Sequence, residues 1–170
     1  MPSPHSRRSA PSVAAVVLCA LLPACERGTT DPFPQVGPGQ FSMRAWGAGM
    51  ERDLTGAATF RTYDDSRTVV LTQLEGYPRL TFEGGYSGTP FSFPVGTHPV
   101  DAGFTNMAVV LELSSNPQDW YYASDGEVRI SESDAGHIVA QFDLTGTAMP
   151  GTNVRVRGAF HALPGELSSP

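Results

Sequence analysis

GEVRIS at 126–131, HIVAQFDLTGT at 137–147 and NVRVRGAFHAL at 153–163 decide the fold, because all three alternate with a period of two. Val128 and Ile130 fall on one face, Glu127 and Arg129 on the other. In the second stretch Ile138, Ala140, Phe142 and Leu144 face inward, while Gln141 and Asp143 face out. In the third the inward set is Val154, Val156, Gly158, Phe160 and Ala162, and the outward set is Arg155, Arg157 and His161. Such alternation marks strands with one dry face, and three in succession mark an antiparallel meander. Ser133-Asp134-Ala135-Gly136 supplies the turn between the first two strands, and Met149-Pro150-Gly151 breaks the chain between the last two. The register of the last pair follows. Leu144 must oppose Val154 or Val156, and Asp143 must oppose Arg155 or Arg157, because a slip of one residue would turn every inward side chain to water.

Working back from there, further strands are expected at Phe41–Trp46, Thr55–Tyr63, Thr68–Leu74, Leu80–Tyr86, Met107–Leu113 and Trp120–Ala123. Asp64-Asp65-Ser66 reads as a hairpin turn, and Gly47-Ala48-Gly49-Met50-Glu51 as a turn or a single helical turn. No stretch carries a helical period. The chain has 18 glycines and 15 prolines in 170 residues, a density of punctuation that excludes a helical bundle or coiled coil. The expected fold is all-β: an antiparallel β-sandwich of about nine short strands over residues 40–163, with a β-barrel as the alternative.

The chain opens differently. Arg7 and Arg8 precede an apolar run from Val13 to Leu22, and no acidic residue occurs before Glu26. A run this short does not reach the roughly 20 residues needed to cross a bilayer. A basic start, a short apolar stretch and small residues at its end describe a secretory leader. The end itself, Leu22-Pro23-Ala24-Cys25, resembles the lipobox of bacterial lipoproteins, with Pro23 where that family usually has a small or hydroxyl residue. The resemblance implies that residues 1–24 are removed and that Cys25 is lipidated, with diacylglycerol on its thiol and a further acyl chain such as palmitate on its amine. It also implies a bacterial cell-envelope location, with Glu26 after the cysteine favouring the outer membrane. A secreted or periplasmic protein with an ordinary leader is the alternative. The other cysteine, Cys19, lies within the leader, so Cys25 would have no disulfide partner in the mature chain.

Residues 26–39, ERGTTDPFPQVGPG, read as a Pro/Gly spacer, and 164–170 as a flexible tail. The formal charge is −6, and the loss of Arg7 and Arg8 makes the mature chain more acidic still. That balance argues against nucleic acid as a partner. Every positive side chain except histidine is an arginine.

The pattern of Gly126, Val128, Ile130, Phe142, Gly158 and Phe160 over the last third of the chain resembles uncharacterised all-β domains of bacterial lipoproteins. Those domains end in a G-x-V-x-I hairpin, a strand with a buried aromatic and a final G-x-F strand. Pro94-Val95-Gly96-Thr97-His98 resembles their mid-domain G-x-Y strand start, with His98 in place of the aromatic. The resemblance implies a fold and a location, and no activity.

Few residues carry the spacing of a catalytic or metal site. His98, His137 and His161 are widely spaced and lack the H-E-x-x-H arrangement, so no metal and no cofactor is expected. Asp64-Asp65, Asp119 with Asp125, and Glu132 with Asp134 are carboxylate pairs, but they read as turn residues capping their own backbone. Ser87-Gly88 has no G-x-S-x-G frame, and Gly84-Gly85-Tyr86-Ser87-Gly88 is followed by no lysine and no helix. No catalytic residue is assigned. Trp120 and Tyr122 would share one face of a strand and Tyr121 the other, so they either pack the core or form an exposed stacking platform. The expectation is a monomeric, membrane-anchored lipoprotein whose β domain is non-enzymatic and binds or supports an envelope partner. A carbohydrate- or peptide-binding module using Trp120 and Tyr122 is the alternative, and a small hydrolase with carboxylates on its loops is a third reading. A concave groove lined by the aromatics would favour the second, and a convex surface the first.

Overall fold

The computed structural model describes residues 32–64, 66–73, 76–84, 91–148 and 151–165. The leader, Cys25, Asp65, Leu74, Tyr86, Ser87, Gly88, Met149 and Pro150 lie outside them, so the readings that fall on those positions do too.

Nine strands occur among the described residues: β1 Gln40–Gly47, β2 Met50–Tyr63, β3 Ser66–Thr72, β4 Arg79–Gly84, β5 Gly96–Pro99, β6 Met107–Glu112, β7 Trp120–Ser133, β8 Ile138–Ala148 and β9 Thr152–Pro164. Leaving β5 aside, each strand pairs antiparallel with the next in sequence, and β9 returns to pair with β1. The eight strands therefore close into an up-and-down ring. The all-β expectation holds, and the barrel, the alternative to the sandwich, is the form it takes. The reason is stagger. β2 pairs with β1 through Met50–Ala57 and with β3 through Ala57–Tyr63, so its two neighbours sit at different heights. Repeated around the sheet, such stagger and the native twist roll it up until its ends meet.

The β8–β9 ladder confirms the period-two reading. Leu144 opposes Val156 and Asp143 opposes Arg157, while the carboxylate of Asp143 takes both hydrogen bonds from the diagonal Arg155 at 2.9 Å. Phe142 and Phe160 are fully enclosed and meet Phe82, with ring centroids 5.3 Å from it in each case. Gly158 must be glycine, because a Cβ there would stand 2.5 Å from the Cβ of Met43 on the adjoining strand.

Two features depart from expectation. The stretches expected as separate strands at 120–123 and 126–131 are one strand, β7. A bulge between Ala123 and Asp125 bends it, and Gly126 takes φ 125° against the backbone of Asp143. Asp125 therefore lies on a strand, not in a turn. The other is β5, which pairs with the far half of β7; only the resemblance at Pro94–His98 pointed to a strand start there, and the period did not. Gly47–Glu51 resolves as a tight hairpin turn, with Ala48 and Gly49 at φ 52° and 76°.

An eight-stranded barrel is just wide enough for side chains to fill. Among the described residues, one cavity of about 10 Å³, the room of roughly one water molecule, lies between Leu80, Leu111, Tyr121, Leu144 and Val156. No described helix is long and apolar enough to cross a membrane.

Candidate functional site

The aromatic candidates Trp120, Tyr121 and Tyr122 stand at the start of β7. The alternation of β7 puts Tyr121 inside, lining the small void, and Trp120 and Tyr122 outside. The indole of Trp120 donates to the carbonyl of Ser114 at 3.1 Å, which fixes the ring. That carbonyl belongs to a self-organised loop. Asn116 caps the short 3-10 turn Pro117–Asp119, and Ser114 donates to the Asp119 carboxylate at 2.6 Å. Asp119 is thus spent on its own loop. Tyr122 is 39% exposed and lies edge-on to Phe104, with centroids 6.2 Å apart.

Beside Trp120 in the ladder stands Glu112, an outward residue on β6 that is nevertheless only 6% exposed. Nη2 of Arg79 lies 2.9 and 2.7 Å from its two oxygens, and the guanidinium sits over Tyr77 at 5.8 Å. A charge this buried is tolerable only when paired. Nε of Arg79 is buried without a partner. Sequence reasoning did not find this pair. Glu112 alternates as an ordinary wet-face residue, and the neighbours on β4 and β7 that bury it, Arg79 and Trp120, leave no trace in its own period. The wall that carries Trp120, Tyr122 and Glu112 is the outside of a barrel and hence convex.

The other candidates resolve plainly. Asp134 caps its own turn, with Oδ1 accepting from the amides of Gly136 and His137 at 2.6 and 2.9 Å. These donors, that of Gly136 first, hold its carboxyl below the ordinary 3.8. Asp101 is likewise lowered, chiefly by the hydroxyl of Thr105 at 2.7 Å. His137 sits between Glu132 and Asp134 at 3.0 and 3.2 Å. The spacing that separates His137 from His161 in sequence is undone by the β8–β9 ladder, which leaves their rings 5.5 Å apart. His98 contacts the carbonyl of Pro94 at 2.7 Å. Among the described residues no three His, Cys, Asp or Glu side chains are grouped to hold a metal ion. No family model, no curated protein and no solved structure matches this chain.

Proposed function

We propose that the chain is a lipid-anchored protein of the bacterial cell envelope, held at the outer membrane through Cys25, whose barrel acts without catalysis as a structural or partner-binding module. The observation that carries the anchor is Leu22-Pro23-Ala24-Cys25 at the end of a short apolar leader, in a chain with no second mature cysteine. The interior supports the rest. Among the described residues, the cavity between Leu80, Leu111, Tyr121, Leu144 and Val156 has room for about one water, which favours the outer wall as the working surface. The convex setting of Trp120 and Tyr122 favours a broad protein contact over a glycan groove. The exposure of Tyr122 beside Phe104 keeps a carbohydrate or peptide platform as the second reading.

The test is the intact mass of the purified native protein. A chain beginning at Cys25 and heavier by its acyl groups is expected, and Cys25→Ala should abolish partition into detergent. An unmodified Cys25, or a mature start elsewhere, ends the anchor reading.

A further inference from the structure

The last residues of the expected spacer are not free. From Pro32 onward the chain belongs to the same compact unit as the barrel. The ring of Phe33 lies 4.3 Å from the guanidinium carbon of Arg157 on the outer face of β9. Phe33, Pro34, Val36 and Gly37 are half-buried. The segment then turns, with the amide of Gln40 donating to the carbonyl of Gly37. Gly39 joins two strands: its amide donates to His161 of β9 at 2.7 Å, and its carbonyl accepts from Ala58 of β2 at 2.8 Å. Between the Arg157 and His161 levels lies Ala159, an outward residue that is only 4% exposed. Residues 33–39 therefore run along the wall of β9 before β1 begins.

We propose that this segment is a strap that fastens the tether to the barrel, so that the lipid anchor holds the β8–β9–β1 wall toward the membrane surface. The inference rests on the lipid-anchor reading above. Chain length gives it force. Fifteen residue steps separate Cys25 from Gln40, a reach of about 50–54 Å when fully extended, whereas the eight steps from Cys25 to Phe33 reach at most about 26–29 Å. The strap thus halves the tether. It also moves the point of attachment from the end of the barrel, at Gln40, to the level of Arg157, which the ladders place beside Arg44 and Asp143. The wall is suited to lie near headgroups. Two of its arginines are ion-paired on the protein, Arg155 with Asp143 and Arg44 with Glu51, so that close approach does not strand these charges. Trp46 lies under Arg155 at 5.5 Å and repeats the ring-and-arginine arrangement of Phe33 and Arg157. Such amphipathic side chains tolerate a half-wet surface. The surface this wall meets is lipid, and anionic lipid is not required.

Because the mature chain has no cysteine besides the lipidated one, a single introduced cysteine takes a dye uniquely. Thr145→Cys labels the outer wall of β8, and Glu83→Cys labels β4, which stands opposite β9 in the ring. The lipidated full chain is placed in phosphatidylcholine vesicles carrying a headgroup acceptor, and energy transfer is compared. Transfer from position 145 should exceed that from 83 at least twofold. In the Phe33→Ala background, with an unchanged circular dichroism spectrum, the difference should vanish. Equal transfer from both positions with Phe33 present overturns the facing. Independently, nuclear Overhauser contacts between the Phe33 ring and the Arg157 side chain are expected in the detergent-solubilised full chain, and their absence overturns the strap itself. An unmodified Cys25 in the mass spectrum would overturn the anchor, and with it the facing, while the strap would still stand or fall on the Phe33–Arg157 contacts.

Discussion

Ala48 occupies a left-handed backbone conformation at an exposed hairpin tip, with φ 52°. For an L-residue with a Cβ that conformation costs about 1–2 kcal/mol. Two-residue hairpin turns with both central residues at positive φ prefer Asn-Gly, since asparagine tolerates the region. Ala48→Asn should therefore stabilise the protein by about 0.5–1 kcal/mol, seen as a higher urea midpoint with an unchanged slope. A lower midpoint would mean that the turn is held by something other than its own backbone. The opposite face of residue-scale packing is Phe142. Its ring is 1% exposed inside the barrel, against Phe82 and Phe160. Phe142→Ala should cost about 3–5 kcal/mol. Its neighbour Asp143 makes an ion pair with a half-exposed Arg155, so Asp143→Ala should cost no more than about 1 kcal/mol. The ratio of the two losses in chemical denaturation measures how completely the inward alternation sets stability.

At the scale of elements, β8 and β9 were legible because each inward position is apolar and each flanking turn carries Gly, Pro or Asp. β5 was not. Gly96-Thr97-His98-Pro99 is too short to show a period, carries a proline and exists only because β7 is long enough to offer it an edge. The join within β7 was hidden by Ser124-Asp125-Gly126, which has the composition of a turn but serves as a bulge. The Arg79–Glu112 pair was hidden because it forms across the β4–β6 ladder, between residues 33 apart in sequence. The β7–β8 turn carries a pH signature. The Asp134 carboxyl is lowered in the folded state by the amides it accepts from, so its contribution is present above the ordinary value of 3.8 and is lost as pH falls below that value through the lower folded one. Asp134→Asn keeps the oxygen acceptor and removes the titration. The variant should lose less stability than the parent on acidification from about pH 5 to pH 2. Parallel acid denaturation curves for the two proteins would show that the turn does not contribute.

For the whole molecule, period two alone cannot separate a sandwich from a barrel. Both need one dry face, and the difference lies in whether the last ladder is made. That ladder depends on accumulated stagger and twist, which no single strand encodes. Its consequence is cooperative. Each of the eight ring strands has a partner on both sides, so opening any ladder creates two bare edges and exposes the common core of Phe82, Phe142 and Phe160. A chain beginning at Pro32, which keeps the strap and lacks Cys25, should therefore unfold in one step. Two reporters make this testable. Trp46 lies on β1 and Trp120 on β7, three strands apart by the shorter way around the ring. Far-ultraviolet circular dichroism follows the ladders, while single-tryptophan forms report each site. All three urea transitions should coincide, as two-state unfolding requires. Neither chelator nor reductant should move the midpoint, because the described core is apolar and the shortened chain carries no cysteine. If Trp120 reports an earlier transition than Trp46, the ring opens near β6–β7 before it melts, and the closed sheet is not one cooperative unit. A midpoint lowered by chelator would instead place a metal in the folded state and overturn the view that apolar packing holds the barrel unaided.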